Sequence, residues 1–216
     1  MRQRLYLLRH GATGAGDRYI GSTDLHLSPQ GAADLEGAAD LLQRQEIDAI
    51  FCSPMQRCRQ SLDRLELHLR AEIVDDLREI DFGRWEGLSF AEICATDGAL
   101  VDRWAQGAAD FAFPEGESLR DFCARIDRIR LMLTTTSARR PLLVTHGGVI
   151  RHLLCYFLEI PFASQFIFKI TPGGIARLSF RLDDGFPTKS PTQRERTWRN
   201  WVFHNHPSFI RISLDF

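Results

Sequence analysis

The chain has 216 residues, of which 44% are hydrophobic, and its 27 lysines and arginines nearly balance 28 aspartates and glutamates. This length and apolar content predict most simply one globular domain with an ample core, and two small domains are the alternative. The balanced charge argues against binding to nucleic acid or to a membrane surface. No apolar run approaches the ~20 residues that cross a bilayer, and the short run after residues 1–4 is no signal peptide.

The cysteines bear on the cellular compartment. They are five in number, and none forms a Cys-x-x-Cys pair. An odd count without such pairs argues against a disulfide framework or a zinc site. We therefore expect a protein of the reducing cytoplasm.

The first predicted element is a buried strand over residues 5–8, which ends abruptly at Arg9, His10 and Gly11. An arginine and a histidine at the end of a buried strand are costly to place unless they face a cleft. In open α/β sheets that cleft lies beyond the carboxyl ends of the strands, where Gly11 would let the backbone approach a ligand. The alternative is an ordinary strand–loop junction with solvated side chains.

Residues 12–27 form a polar, glycine-rich loop, and Ser28-Pro29 predicts the start of a helix that continues to about residue 45. Residues 48–52 predict a second strand, followed by Ser53-Pro54 as cap and first turn of an amphipathic helix. Arg57 lies off the apolar stripe of that helix, near its N-terminus, where the macrodipole disfavours a cation. Binding of an anion would explain this position, and a solvent-facing arginine is the alternative.

The middle of the chain is dominated by a charged loop. Residues 72–74 predict a third strand, and residues 75–87 follow without periodicity, carrying Glu79 and Trp85. This composition is typical of a pocket wall, and the alternative is a solvated loop with Trp85 half-buried. Short helices are expected over residues 89–96 and 99–104.

The C-terminal half repeats the first motif. After a helix over residues 118–133, residues 141–145 predict a strand that ends in His146 and Gly147, followed by another helix. Two strands that end in His-Gly would place two imidazoles at one edge of one sheet, an arrangement suited to chemistry on an anion. The remaining predictions are an edge hairpin over 165–182, a polar linker over 183–196 and short strands over 201–203 and 209–212. Strands alternating with helices predict an α/β sandwich.

Four ordered motifs resemble those of the histidine phosphatase superfamily, the phosphoglycerate mutase-like family. They are LRHG at residues 8–11, SPMQRC at 53–58, LREIDFGRWEG at 77–87 and THGG at 145–148. The resemblance spans about residues 4–182 and implies a three-layer αβα sandwich with a mostly parallel central sheet. It implies a phosphatase domain over residues 1–182, with a C-terminal extension over 183–216 packed on the same domain.

The finer pattern is similar to the α-ribazole phosphatases of cobalamin synthesis. PEGES at residues 114–118 and HGGVIR at 146–151 carry this similarity, together with the RHGAT that begins at Arg9. One position departs from the family pattern, since many relatives have an asparagine where this chain has Gly16. One polar contact to phosphate would then be missing or supplied by the backbone.

The resemblance implies a mechanism through a phosphohistidine. His10 would attack phosphorus, arginine forks and the second histidine would stabilise the phosphoryl oxygens, and Glu79 would protonate the leaving alkoxide. The predicted catalytic residues are His10, Glu79, His146, Arg9 and Arg57, and the predicted substrate-binding residues are Arg9, Gly11, Arg57, Trp85 and Gly147.

No metal or cofactor is expected, because two arginines and two histidines neutralise a phosphoryl group without a carboxylate cluster for magnesium. His204 and His206 form a possible metal pair without a nearby third ligand. The expected partner is a small phosphomonoester, with the chain a monomer or homodimer. We expect surface or structural roles for the remaining titratable side chains considered, namely His26, His68, His152 and Arg151.

Two other functions are weighed against a phosphatase. A non-catalytic phospho-ligand binder would normally lose His10 or Glu79, and this chain keeps both. A phosphoglycerate mutase of the family carries a paired arginine that is missing after Trp104. Trp85 and the aromatic stretch 111–113 are instead predicted to wall a pocket for a ring-bearing leaving group such as that of α-ribazole 5′-phosphate. A phosphatase of broad specificity is the remaining alternative.

Overall fold

One six-stranded sheet organises the molecule in a computed structural model, which describes residues 2–108, 110–181 and 213–215. Its strands are β1 (Arg2–Arg9), β2 (Ala49–Cys52), β3 (Ala71–Ile73), β4 (Pro141–Thr145), β5 (Ile175–Arg181) and β6 (Ser213–Asp215). They lie in the order β3-β2-β4-β1-β5-β6. The first four of these are mutually parallel, and β5 and β6 add antiparallel pairs at one side. The prediction of a mostly parallel sheet is confirmed.

Helices cover both faces of the sheet. They are α1 (Pro29–Ala33), α2 (Glu36–Gln43), α3 (Gln56–Arg64), α4 (Phe90–Ala105), α5 (Leu119–Thr135) and α6 (Gly147–Phe157). Because successive strand residues point to opposite faces, β1 places Leu5 and Leu7 in one core and Tyr6 and Leu8 in a second. The first core also contains α5 and α6, and the second contains α2 and α3. This is the predicted αβα sandwich.

The register of the parallel strands decides where the functional side chains meet. Leu8 of β1 lies opposite Val144 of β4, and Arg9 lies opposite Thr145. The His10 amide continues this pairing with a hydrogen bond of 2.9 Å to the Thr145 carbonyl. The residues that follow β1 and β4 therefore lie side by side at one edge of the sheet, as the two His-Gly motifs predicted.

Several predicted boundaries are wrong. The helix predicted from Ser28 divides into α1 and α2, whose glycines at 31 and 37 lie on either side of the break, and glycine weakens a helix by ~1 kcal/mol. Met55, rather than Ser53, is the residue that caps α3. The two helices predicted after the charged loop form the single helix α4 with a kink at Asp97.

The edge hairpin predicted over residues 165–182 is also wrong in its first half. Residues Phe162–Ile167 form a 3₁₀ helix, and β5 pairs with β1 and β6 instead. Gln165 and Phe168 are buried and lie three residues apart, the spacing of one 3₁₀ turn, while Phe166 and Ile167 are exposed. Because β1 and β6 pair with the two edges of β5, this segment has no edge of β5 to pair with.

Some predictions fall on residues outside the described ranges. These are the linker over 183–196, the strands over 201–203 and 209–212, and the metal pair His204 and His206. The division into a domain and a packed extension stays a prediction. Within the described part of the chain, no helix is long and apolar enough to cross a membrane.

Candidate active site

Two imidazole rings face each other at the carboxyl ends of β1 and β4. The ring centroids of His10 and His146 are 5.0 Å apart, with an angle of 63° between the planes. Both side chains are buried, since 7% of His10 and 0% of His146 is exposed. The strand ends therefore assemble the cluster that the repeated His-Gly motif predicted.

His10 is held with one ring nitrogen available. Its Nδ1 lies 2.7 Å from the Gly11 carbonyl oxygen, and because a carbonyl only accepts, Nδ1 carries the hydrogen. Nε2 is then the unprotonated nitrogen, and no described residue donates to it. Burial, and next the charge of Arg9, lower the pKa of His10 to about 3. At neutral pH this ring has the protonation state that a nucleophile needs.

His146 is held by both ring nitrogens. The Arg57 Nε donates to Nδ1 over 3.2 Å, and since a guanidinium only donates, Nε2 carries the hydrogen. That Nε2 donates to the Ser53 hydroxyl over 2.9 Å. Burial, with the neighbouring His10, lowers the pKa of His146 well below its ordinary value. His146 is thus a neutral ring that ties α3 to the end of β4.

Arg57 is fully buried, so the solvent-facing alternative is wrong. Besides its contact with His146, its terminal nitrogens donate to the carbonyls of Thr23 over 2.8 Å and Gly21 over 2.7 Å. These carbonyls belong to the glycine-rich loop after β1. Each terminal nitrogen of a guanidinium has two hydrogens, so one remains on each for an anion. The structure places Arg57 at the predicted edge of the sheet, where hydrogen bonds to His146, Thr23 and Gly21 hold it.

Arg9 adds a second guanidinium to the site. Its Nη1 donates to the Ile170 carbonyl over 2.6 Å, and its buried Nε has no hydrogen-bond partner in the described part of the chain. Burial lowers the pKa of Arg9, although the nearby Glu79 carboxylate opposes this. A buried guanidinium donor without a partner is costly unless a ligand accepts from it.

The absence of a side chain at Gly147 leaves room for two guanidinium groups, those of Arg9 and Arg151. A Cβ at Gly147 would lie 3.3 Å from the Arg151 Nη1 and 3.5 Å from the Arg9 Nε. Arg151, expected behind the site, therefore lies beside Arg9. Its Nε donates to the Phe168 carbonyl over 3.2 Å, which gives it the structural contact that was expected. Together the two guanidiniums make this edge of the sheet strongly cationic.

Glu79 is attached to the first turn of α6. Its Oε2 accepts from the Gly148 amide over 2.9 Å, and its Oε1 accepts from the Ile80 amide over 3.1 Å. A Cβ at Gly148 would lie only 2.4 Å from the Glu79 Oε1, so the second glycine of the motif is required for this contact. The structure thus brings a carboxyl group to the helix that follows His146.

Gly11, a predicted substrate-binding residue, contacts other parts of the protein instead. The Gly11 amide donates to the Ser61 hydroxyl over 3.0 Å, and its carbonyl holds His10, so neither group is free for a ligand. A Cβ at Gly11 would lie 2.2 Å from the Gly31 carbonyl oxygen. The close approach that requires a glycine is therefore to helix α1 and not to a substrate.

The predicted aromatic wall is wrong. Trp85 is 0% exposed, and its indole nitrogen donates to Asp97 over 2.8 Å at the kink of α4. Phe111 and Phe113 are also buried, and they pack against the Trp85 ring at centroid distances of 6.1 and 5.4 Å. Aromatic rings bury large areas in preference to remaining at a surface, and these three form a core under the loop.

Sequence reasoning missed three side chains around the site. Ser53 bonds to His146, although the Ser-Pro pair suggested only a helix cap. Arg125 and Glu117 form an ion pair of 2.7 Å beneath the loop that carries Glu79. The sequence did carry a signal for Arg125, because this residue lies three positions after Phe122 and thus on the buried face of α5.

The family follows from a direct comparison. A model of the histidine phosphatase superfamily, branch 1, matches residues 5–189. The chain therefore belongs to that superfamily, and the family predicted from the four motifs is confirmed.

Three known proteins show how far the similarity extends. The adenosylcobalamin/alpha-ribazole phosphatase of Salmonella typhimurium is 28% identical over 202 residues, which cover 91% of this chain and 98% of that protein. A bifunctional protein of Mycobacterium tuberculosis is 37% identical over 162 residues, 72% of this chain. The chain spans only 44% of the length of that mycobacterial protein.

The third is a solved structure. It is a mycobacterial glucosyl-3-phosphoglycerate phosphatase in complex with VO3, with a TM-score of 0.74 and 26% identity. The match covers 99% of this chain and 97% of that one. The predicted phosphoglycerate mutase-like fold is thereby confirmed.

Proposed function

We propose that this chain hydrolyses phosphate monoesters through a phosphohistidine at His10, with α-ribazole 5′-phosphate as its substrate. The observation that carries the mechanism is the hydrogen bond from the His10 Nδ1 to the Gly11 carbonyl, 2.7 Å long. This hydrogen bond leaves an unprotonated Nε2 on His10, near the guanidiniums of Arg9 and Arg57. A neutral, oriented imidazole next to cationic groups is what attack on a phosphorylated substrate requires.

The first step transfers the phosphoryl group. The His10 Nε2 forms a bond to phosphorus while the bond from phosphorus to the leaving oxygen breaks, and that oxygen takes a proton from Glu79. In the second step water attacks phosphorus, its proton returns to Glu79, and the N–P bond breaks to release inorganic phosphate. Atoms and charges balance without an additional reactant.

The surrounding cations stabilise the charge of the transferred group. The Arg9 Nε lacks a partner among the described residues, and a phosphoryl oxygen would supply the missing acceptor. The free hydrogens on the terminal nitrogens of Arg57 can donate to a second oxygen. His146 keeps the Arg57 guanidinium in place, so its contribution is made chiefly through that arginine.

The substrate assignment is supported by the relative in Salmonella, whose similarity covers 91% of this chain. The buried Trp85 no longer supports it, but two partly exposed rings lie beside the Glu79 loop. Tyr19 and Phe82 pack edge to face with centroids 5.1 Å apart. The exposed parts of these two rings would favour a ring-bearing leaving group by stacking.

A panel of phosphomonoesters tests this substrate assignment. We expect kcat/KM for α-ribazole 5′-phosphate to exceed that for 3-phosphoglycerate by at least ~100-fold, about 2.7 kcal/mol of differential transition-state binding. Similar efficiency on many small phosphates would instead identify a phosphatase of broad specificity, and the phosphohistidine mechanism would stand. Conversion of 3-phosphoglycerate to its isomer would identify a mutase.

A further inference from the structure

A largely buried ion pair lies beneath the loop that carries Glu79. Arg125 of α5 is 8% exposed, and it forms a two-point contact with Glu117. The Nε–Oε1 distance is 2.7 Å and the Nη2–Oε2 distance is 2.9 Å. This parallel geometry is the strongest that an arginine and a carboxylate form.

The same guanidinium also holds three carbonyls of the loop. Its Nη1 donates to the Asp76 carbonyl over 2.8 Å and to the Arg78 carbonyl over 2.6 Å. Its Nη2 donates to the Glu79 carbonyl over 3.0 Å. With the two bonds to Glu117, all five N–H groups of Arg125 have partners. No donor remains for a substrate, so Arg125 acts on the loop and not on a ligand.

Glu117 holds the loop on the other side of Glu79. Its Oε2 accepts from the Asp81 amide over 3.4 Å, and its own amide donates to the Asp81 carbonyl over 2.9 Å. The pair thus fixes the backbone before, at and after Glu79. The carboxyl group of Glu79 is fixed separately by the Gly148 amide, 2.9 Å away.

Packing alone does not require a charge at this position. The Arg125 Cζ lies 4.3 Å from the centre of the Phe122 ring, a contact that an apolar side chain of similar length could also make. Replacing a buried ion pair by apolar residues of similar volume is often neutral or stabilising. What an apolar residue could not supply is the set of donors to the loop carbonyls.

We propose that Arg125 and Glu117 are positioning residues that hold Glu79 at the distance needed for proton transfer. This inference rests on the proposed function, in which Glu79 is the general acid and base. Displacement of a catalytic group by about 1 Å can cost ~10²-fold in rate. The loss should fall on the step that needs a proton and not on substrate binding.

The test compares two leaving groups. Arg125→Met should lower kcat about 10²-fold on an alkyl phosphate, with KM little changed, because the leaving alkoxide needs protonation. On p-nitrophenyl phosphate, whose leaving group needs little protonation, the loss should stay below about threefold. Glu79→Gln should show the same contrast, with a loss of roughly 10²–10⁴-fold on the alkyl phosphate.

The matched control is Arg128→Met on the same helix. Arg128 also binds this loop, through bonds of 2.9 and 2.6 Å to the Asp76 carboxylate, but it touches neither Glu79 nor its neighbouring carbonyls. It should leave both activities unchanged. Glu117→Gln and Arg125→Lys repeat the test with smaller changes if Arg125→Met does not fold.

A double variant separates positioning from general stability. Combined with Glu79→Gln, Arg125→Met should cause no further loss on the alkyl phosphate, since both changes remove the same proton transfer. Equal losses on both substrates, or additive losses in the double variant, would overturn the proposal. If Glu79→Gln shows the contrast and Arg125→Met does not, only this inference fails. If the unaltered enzyme forms no phosphohistidine, the proposed function fails.

Discussion

His10 and His146 follow two adjacent parallel strands, precede a glycine, and have rings only 5.0 Å apart, yet their surroundings differ. Among the described residues the His10 ring makes its hydrogen bond through Nδ1 alone, and 7% of the residue is exposed. The His146 ring is fully enclosed, and Ser53 and Arg57 occupy both of its nitrogens. One motif therefore leaves an imidazole with a single hydrogen-bonded nitrogen in one place and an imidazole bonded through both nitrogens in the other.

The difference comes from the neighbours of each strand. β4 lies between β2 and β1, so the residue after it meets Ser53 from the end of β2 and Arg57 from α3, whereas β1 lies between β4 and the antiparallel β5. The residue after β1 meets instead the backbone of its own turn. The hydrogen bonds of a histidine at a strand end thus depend on which groups the neighbouring elements bring to its two ring nitrogens.

The largest effect that tests this comparison is the loss of the free nitrogen. His10→Ala should abolish both turnover and acid-labile labelling of the protein by substrate phosphate, because it removes the proposed nucleophile. Single-turnover labelling with radioactive phosphomonoester measures it. The control is His68→Ala, a change at an exposed position, and this variant should be labelled as the unaltered protein is. Persistent labelling of His10→Ala would place the nucleophile elsewhere.

Replacement of the supporting histidine should have a smaller effect of a different kind. His146→Gln should lower kcat/KM by roughly 10²–10³-fold, the cost of one misplaced donor to the transition state. It should still form the phosphohistidine, only more slowly. The rate of labelling by substrate phosphate distinguishes slow formation of the phosphohistidine from its absence. A complete absence of label in His146→Gln would show that the two rings have equivalent roles.

Both rings should make stability depend on pH in the same direction. Because the pKa of His10 is lowered to about 3 in the folded protein, the unfolded chain binds more protons below its ordinary pKa of about 6.5. The free energy of unfolding should therefore fall as the pH drops from 7 towards 3. His10 alone should contribute a decrease of about 2 kcal/mol between pH 7 and pH 5.

Urea unfolding at several pH values measures this decrease. His10→Asn should flatten the dependence by about 2 kcal/mol over that interval, and His68→Asn should leave it unchanged. An unchanged slope in His10→Asn would contradict a neutral, buried ring. The same comparison for His146→Gln shows whether its enclosure lowers the pKa further.

The smallest effect is expected on removal of metals. If the two guanidiniums and the histidines supply the positive charge, prolonged EDTA treatment should leave kcat/KM within about twofold. Assays on α-ribazole 5′-phosphate and p-nitrophenyl phosphate before and after treatment provide the measurement. Loss of activity that magnesium or zinc restores would mean that the imidazole pair needs a cation beside it.

The sequence predicted which residues would meet because the topology of parallel strands follows from local patterns. Apolar runs that end in Arg9-His10 and in His146 place those side chains at one edge, whatever the details of packing. The placement of Arg57 near that edge also followed from its position in the first turns of a helix. These are properties of chain order and periodicity, and the structure agrees with them.

Burial and partner choice followed from the tertiary structure alone. The charged, glycine-containing sequence around Trp85 is typical of a pocket wall. Trp85 nevertheless lies in the core, because it packs there against the rings of Phe111 and Phe113. Arg125 lies on an apolar helix face, where only Glu117 and the loop carbonyls make its charge tolerable.

The resemblance of four motifs predicted the family, and the chain order of strands and helices predicted the sheet and the edge at which His10 and His146 meet. Neither determined which imidazole keeps a free nitrogen or which arginine holds the acid loop. Those outcomes depend on contacts between residues far apart in sequence, such as Ser53 with His146. A local pattern specifies which face a residue lies on, whereas its hydrogen-bond partners depend on how the packed elements come together.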